Sequence, residues 1–287
     1  MKNSGAVKKW PIWLAPLLAS LIFGSPAAMA KTASDEVKAS VGAFISAKDN
    51  DTLSPQSKEV KKFAAARETL RKILDLSIAE VERLKEKLDN LKIEELVASD
   101  YSLDAAEVYD MLSRLLDYYL VYYADMEKRV DGLKTYEETR VAARDLKEWR
   151  GKTYLPGVER LVAIDLVLRN KSILRTAGSR LDKILNDLRK LKNSKLISLE
   201  TLNELVANAG NNLKSAAALD EEATNVLIKL LKTSYLNLEP QEQKDAAFEA
   251  VYRRIVDLTD QSLIRIKNGY RYFFEINIRV KKMVGVE

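Results

Sequence analysis

Between residues 55 and 97 the chain places an apolar residue at alternating steps of three and four. This spacing is typical of a long α-helix that packs lengthwise against other helices, as in a coiled coil. Only Arg67 and Ser77 interrupt the pattern. Its apolar members are Val60, Phe63, Leu70, Leu74, Val81, Leu84, Leu88 and Leu91. We therefore predict a helix that opens at Ser54-Pro55 and extends over about 43 residues, or roughly 65 Å.

Further helices are predicted because Gly and Pro are scarce and separate amphipathic stretches. Thr135 and Glu138 have the spacing of a capping box. The segment 151–157, which contains Pro156, is the clearest predicted break. The alternation of Phe274, Ile276, Ile278 and Val280 resembles a strand, but a lone strand would lack a partner, so helix is favoured. The predicted boundaries are Ser102 to Gly132, Thr135 to Gly151, Pro156 to Asn193, Ser198 to Tyr235, and Glu239-Pro240 to Met283.

The predicted fold is all-α, an elongated bundle of about six long, coiled-coil-like helices. Residues 31–54 are predicted to be a linker with one short amphipathic helix around residues 37–45. Two three-helix units follow at 55–150 and 151–287, which we expect to pack together as one helical domain. A shift of 100 residues aligns Ile73 with Ile173 and Leu88 with Leu188. Both a duplicated unit and two unrelated amphipathic helices of equal period fit this alignment.

The first thirty residues have the composition of an export signal. Three lysines precede an apolar stretch from Ile12 to Phe23, and Ala28-Met29-Ala30 supplies the small residues at which signal peptidases cut. The apolar stretch is shorter than the roughly 20 residues of a membrane-spanning helix, so cleavage is favoured over retention as an N-terminal anchor. We predict an exported protein, periplasmic or extracellular, without a transmembrane segment in the mature chain.

Charge and composition argue against several functional classes. The chain has 47 basic and 42 acidic residues, and three of the basic residues lie before Lys31. The mature chain is therefore nearly neutral, and no nucleic-acid partner is expected. Without His or Cys, the chain lacks imidazole acid–base groups, thiol nucleophiles and the usual zinc ligands. No enzymatic activity and no cofactor are expected.

Two clusters of residues each allow a functional and a structural interpretation. The acidic stretch from Glu94 to Asp125 offers hard oxygen ligands for calcium, but a solvated helix face explains it better. The tyrosines at 109, 118, 119, 122 and 123 could stack on sugars, but packing in the core or at an interface is favoured. Trp149 is likewise expected to be a packing anchor.

Two functions remain open on the sequence. The first is a non-enzymatic helical scaffold or interaction protein of the bacterial cell envelope, with a protein partner or self-association through helix faces. The second is a binding module for an anionic membrane surface or cell-wall polymer. It would use a C-terminal region where four aromatic residues, from Tyr270 to Phe274, lie among cations. Positive charge also concentrates between Lys171 and Lys195. The candidate polyanion-binding residues are Arg265, Lys267, Arg271, Arg279, Lys281 and Lys282.

Overall fold

The computed structural model describes residues 55–97, 103–193, 200–235 and 246–285. These residues are helical almost throughout and contain no strand, which confirms the predicted all-α helical bundle. The predicted signal at 1–30, the linker at 31–54 and the helix openings at Ser54, Ser198 and Glu239-Pro240 lie outside the described residues. The helices are α1 (Pro55–Asp89), α2 (Ile93–Val97), α3 (Ala105–Gly132), α4 (Tyr136–Trp149), α5 (Leu155–Asn193), α6 (Glu200–Tyr235) and α7 (Ala246–Met283).

Side chains cap the N-termini of α3 and α4. Asp104 caps α3, since its carboxylate accepts the Ala106 N–H at 2.9 Å. The prediction that Ser102 caps this helix was therefore wrong, because the carboxylate adjoining the first helical turn satisfies a free N–H and suits the helix dipole. At α4 the predicted capping box is confirmed. The Glu138 N–H donates to Thr135 Oγ1 at 3.2 Å, and the Thr135 N–H donates to the Glu138 carboxylate at 3.1 Å.

The predicted break at residues 151–157 is wrong, because the chain stays helical from Tyr136 to Asn193. A π-helical segment, Arg150–Tyr154, joins α4 to α5, and the Leu155 N–H donates to the Arg150 carbonyl five residues earlier. A proline in an α-helix lacks its N–H and crowds the carbonyl four residues before it. The wider π turn just before Pro156 takes that carbonyl out of α-helical register, so the helix continues. The division into units at residue 150 stays a prediction.

Most of the apolar seam of α1 forms the centre of the main core. Leu70, Leu74, Val81 and Leu88 are almost completely buried, in a cluster that includes side chains from α1 to α7. Val60 is 67% exposed, so its predicted place in the seam was wrong. Arg67 contacts the end of α3, and Val60 lies about two helical turns before it on α1.

The two polar interruptions of the seam each have a structural role. The Arg67 guanidinium caps the end of α3, with Nε donating to the Val130 carbonyl at 3.1 Å and Nη2 to the Asp131 carbonyl at 2.6 Å. Ser77 is fully buried. Its hydroxyl donates to the Ile73 carbonyl at 2.8 Å and accepts a hydrogen bond from Arg150 at 3.0 Å. Both polar side chains thus satisfy buried or terminal groups of neighbouring elements.

A buried polar layer separates the main core from two smaller clusters formed by α5, α6 and α7. Asn170 Nδ2 donates to Asp220 Oδ1 at 2.7 Å and to Ser262 Oγ at 2.9 Å. Ser262 Oγ in turn donates to the Ala216 carbonyl at 3.0 Å. Burial raises the pKa of the Asp220 carboxyl. Because the layer joins all three helices, it fixes their relative register.

Candidate interaction surface

The tyrosines picked out in the sequence lie mainly in the core. Tyr119 and Tyr123 are completely buried, which confirms the packing interpretation for these two residues. Trp149 stacks on Tyr122 with ring centroids 3.6 Å apart and ring planes 6° from parallel. Burial raises the pKa of Tyr122 to about 12. Only Tyr118, at 41% exposed, and Tyr109, at 36%, present much of their surface to solvent, so the cluster does not form a sugar-stacking platform.

A buried polar network around Arg150 was not anticipated from the sequence. Arg150 is 4% exposed and pairs with Glu80, itself 5% exposed, at 2.9 Å. Its guanidinium also donates to the Tyr123 hydroxyl and lies 4.4 Å from the centre of the Tyr154 ring. These contacts tie α1 and α3 to the π-helical segment. Nothing in the local sequence separates Glu80 and Arg150 from the many exposed charges around them.

The acidic residues between Glu94 and Asp125 serve separate structural roles. Asp104 caps α3, Glu95 pairs with Arg175 of α5 at 3.0 Å, and Asp117 pairs with Lys85 of α1 at 2.5 Å. Arg175 lowers the pKa of Glu95. Within the described residues, no three acidic side chains converge in a way that could hold a metal ion. The three carboxylates of Asp104, Glu95 and Asp117 therefore act as a helix cap and as ion-pair partners between helices.

All six candidate polyanion-binding residues are exposed on α7, but they do not share one direction. At about 100° per residue, Lys267, Arg271, Lys281 and Lys282 point within one arc roughly 100° wide. Arg265 points to another side of the helix. Arg279 also lies outside the arc and pairs with Glu275 at 2.6 Å. The structure thus brings four of the six residues together.

Three exposed apolar side chains lie within the same arc as these four cations. Ile264 is 58% exposed, Phe274 59% and Ile278 37%. The neighbouring Phe273 and Ile276 are 3% and 2% exposed and belong to the smaller clusters. Burial of these neighbours fixes the rotation of α7 and keeps its outer side exposed. We call this side the α7 face, which consists of Ile264, Lys267, Arg271, Phe274, Ile278, Lys281 and Lys282.

The helices that carry this face form a basic section of the molecule. Residues 170–193, 200–219 and 260–285 contain 14 basic and 6 acidic residues, whereas the other described residues contain 25 and 27. The two basic regions of the sequence meet here, since Leu188 of α5 and Ile276 of α7 share one cluster. Arg180 of α5 also lies 5.2 Å from the centre of the Tyr270 ring, beside the α7 face. Among the described residues, the net excess of positive charge is therefore found in this section.

No protein-family description, curated protein or solved structure matches this chain. Across the described ranges, no helix combines the length and apolarity needed to cross a membrane.

Proposed function

We propose that this chain is a non-catalytic helical binding protein of the cell envelope that attaches to an anionic, phosphate-bearing surface through the α7 face. The observation that carries the proposal is the shared direction of four cations and three exposed apolar side chains. Glu275, the one acidic residue between Gln261 and Lys282, lies at the edge of the face and is paired with Arg279. Asp260, one helical turn before Ile264, is exposed in the same arc, but the four cations outnumber it, so the face attracts an anion overall.

The expected strength follows from the number of groups on the face. Each Lys or Arg held near an anionic membrane contributes about 1 kcal/mol, so the four cations together contribute about 4 kcal/mol. This contribution falls away over about 8–10 Å at physiological salt. Fully burying one large apolar side chain contributes about 1.5–3 kcal/mol, and partial burial proportionately less. We therefore expect binding that salt weakens and that the apolar residues sustain in part.

The alternative of a scaffold that associates through helix faces has less support from the same geometry. Pairing two α7 faces would bring Lys and Arg of one copy against those of the other, which is unfavourable. Elsewhere in the described chain, the most exposed large apolar side chains are Val60 and Leu76, which point to opposite sides of α1, and Val121 on α3. Single exposed apolar residues are normal on a protein surface. A protein partner stays a prediction of the sequence.

The proposal is tested by removing the four cations without changing the shape of the face. The test protein is the processed chain from Lys31, in which Lys267, Arg271, Lys281 and Lys282 are changed to Gln. A matched control carries the same number of charge removals at exposed positions elsewhere, namely Lys61, Arg83, Arg144 and Lys147. We expect co-sedimentation with phosphatidylglycerol vesicles to fall strongly for the first variant and little for the control. Equal sedimentation of both variants would contradict the proposal.

A further inference from the structure

We infer that the anionic surface is a lipid bilayer, and that α7 lies parallel to it with Phe274 and Ile278 inserted between the lipid head groups. This inference rests on the proposed function and goes further by naming the partner and the bound orientation. It starts from the coincidence of charge and apolar exposure along α7. A soluble polyanion or a wall polymer would engage the cations and leave the exposed apolar side chains in water.

The length of the face favours a parallel orientation. Ile264 and Lys282 are 18 residues apart, or about 27 Å along the helix axis. With α7 parallel to the surface, all seven side chains of the face reach the head-group layer together. With α7 upright on its C-terminal end, Ile264 would lie about 27 Å away, more than two Debye lengths from the surface charge. Only the parallel orientation uses both ends of the face.

The packing under α7 presents the face in a fixed form. Ile266, Phe273 and Ile276 are each no more than 3% exposed and lie on the side of α7 that faces α5 and α6. Gly269 lets α7 approach α6 closely, since a Cβ atom there would come within 3.2 Å of Leu213. Phe274 and Ile278 consequently project outward without rearrangement of the core. Lys and Arg side chains beside them can reach head-group phosphates while their stems cover apolar surface.

The partner is tested by removing apolar area while keeping every charge. Phe274→Ser with Ile278→Ser is compared with Leu76→Ser and Val121→Ser, which remove similarly exposed apolar side chains elsewhere. For the first variant we expect affinity for phosphatidylglycerol vesicles to fall about tenfold or more, because the apolar transfer is lost. Its affinity for inorganic polyphosphate should not change, and the control should match the native protein with both ligands.

Several results would overturn this inference, and they differ from failure of the proposed function. Unchanged vesicle affinity in the Phe274 and Ile278 variant would mean that charge alone holds the protein. Native binding to polyphosphate but not to vesicles would also reject the bilayer while leaving an anionic partner in place. Loss of binding by the native protein to both ligands would instead reject the proposed function itself.

The orientation is tested with environment-sensitive fluorophores. The chain has no cysteine, so a single introduced thiol can be labelled with NBD at each chosen position. Separate labels at Ile264→Cys and Ile278→Cys should both shift to the blue on phosphatidylglycerol vesicles. Labels at Asn193→Cys, at the end of α5, and at Asn211→Cys, exposed on α6, should not shift. A shift at Asn193 without one at Ile264 would show an upright orientation and overturn the inference.

Discussion

The substitution Gly157→Ala tests the packing between α3 and α5. Alanine normally stabilises a helix interior by about 0.5–1 kcal/mol relative to glycine. At Gly157, however, a Cβ atom would overlap Tyr119 Oη and lie only 2.9 Å from Leu115 Cδ2. Tyr119 is completely buried, and its hydroxyl donates to the Thr153 carbonyl at 3.2 Å. A shift of the ring away from the Cβ atom would therefore disturb this hydrogen bond and the buried contacts of the ring.

The expected magnitude combines two penalties with the helix-propensity gain. Overpacking of a core costs about 1–3 kcal/mol, and leaving a buried hydroxyl without its partner costs about 1–3 kcal/mol. After subtracting the gain of about 0.5–1 kcal/mol from alanine, we expect Gly157→Ala to lower the free energy of unfolding by about 1–5 kcal/mol. Urea denaturation followed by circular dichroism measures this quantity.

Gly178 provides the matched control, because no atom lies within 4 Å of a Cβ placed there. Gly178→Ala should raise the free energy of unfolding by about 0.5–1 kcal/mol. Adding Tyr119→Phe to Gly157→Ala should recover part of the loss, since it removes the hydroxyl that clashes. If Gly157→Ala is as stable as the native chain, or if the Phe substitution gives no recovery, the proposed contact is not the cause.

Further stability measurements test the buried polar groups and the seam. Glu80→Ala leaves Arg150 buried without its ion-pair partner and should cost about 3–5 kcal/mol in urea denaturation, whereas the double change Glu80→Leu with Arg150→Met should cost less. Burial raises the pKa of Asp220, so the folded state favours the protonated carboxyl. The stability gained from this protonation is present at low pH and is lost as the pH rises through the folded pKa. Asp220→Asn should therefore stabilise the protein at neutral pH, with the gain disappearing in acid; a gain equal at both pH values would exclude this cause. Leu84→Ala should lower the free energy of unfolding by about 2–5 kcal/mol. Ile184→Ala should lower it less, because Leu84 is 4% exposed whereas Ile184 is only partly buried. A loss at Leu84 well under 1 kcal/mol would contradict burial of the seam.

Helical periodicity gave the right fold class because the pattern persists over most of the described chain. The same pattern identified Leu70 and Leu88 as core residues, since an amphipathic helix buries one continuous apolar stripe. It also marked Arg67 and Ser77 as exceptions. Their partners, at the end of α3 and in the π-helical segment, are more than 60 residues away in sequence. No local pattern encodes contacts at that separation.

The main error in the helix boundaries came from reading Pro156 and its neighbouring glycines as a stop. Local propensity disfavours a helix there, but contacts with the rest of the core outweigh it. Tyr154 is fully buried, and Arg150 is satisfied by Glu80 and Ser77 from α1. Tertiary packing therefore holds the segment helical, with one π turn accommodating the proline.

Which candidate residues of α7 share a face depends on whether the segment is a strand or a helix. In a strand, Phe274, Ile276 and Ile278 would share one face. In the observed helix, Phe274 and Ile278 are exposed together, while Ile276 is 2% exposed. The same rotation separates Arg265 and Arg279 from the four cations of the α7 face. The sequence predicted a basic and aromatic region, and the three-helix packing selected which residues form its surface.

Binding of the native chain from Lys31 onward to vesicles of defined charge tests the central claim most directly. The measurement compares phosphatidylglycerol with phosphatidylcholine vesicles at low and at physiological salt. The α7 face predicts binding to the anionic vesicles alone, weakened at the higher salt concentration but not abolished, because Phe274 and Ile278 add contacts that salt does not screen. Equal binding to both vesicles, or no binding to anionic vesicles at low salt, would contradict the claim.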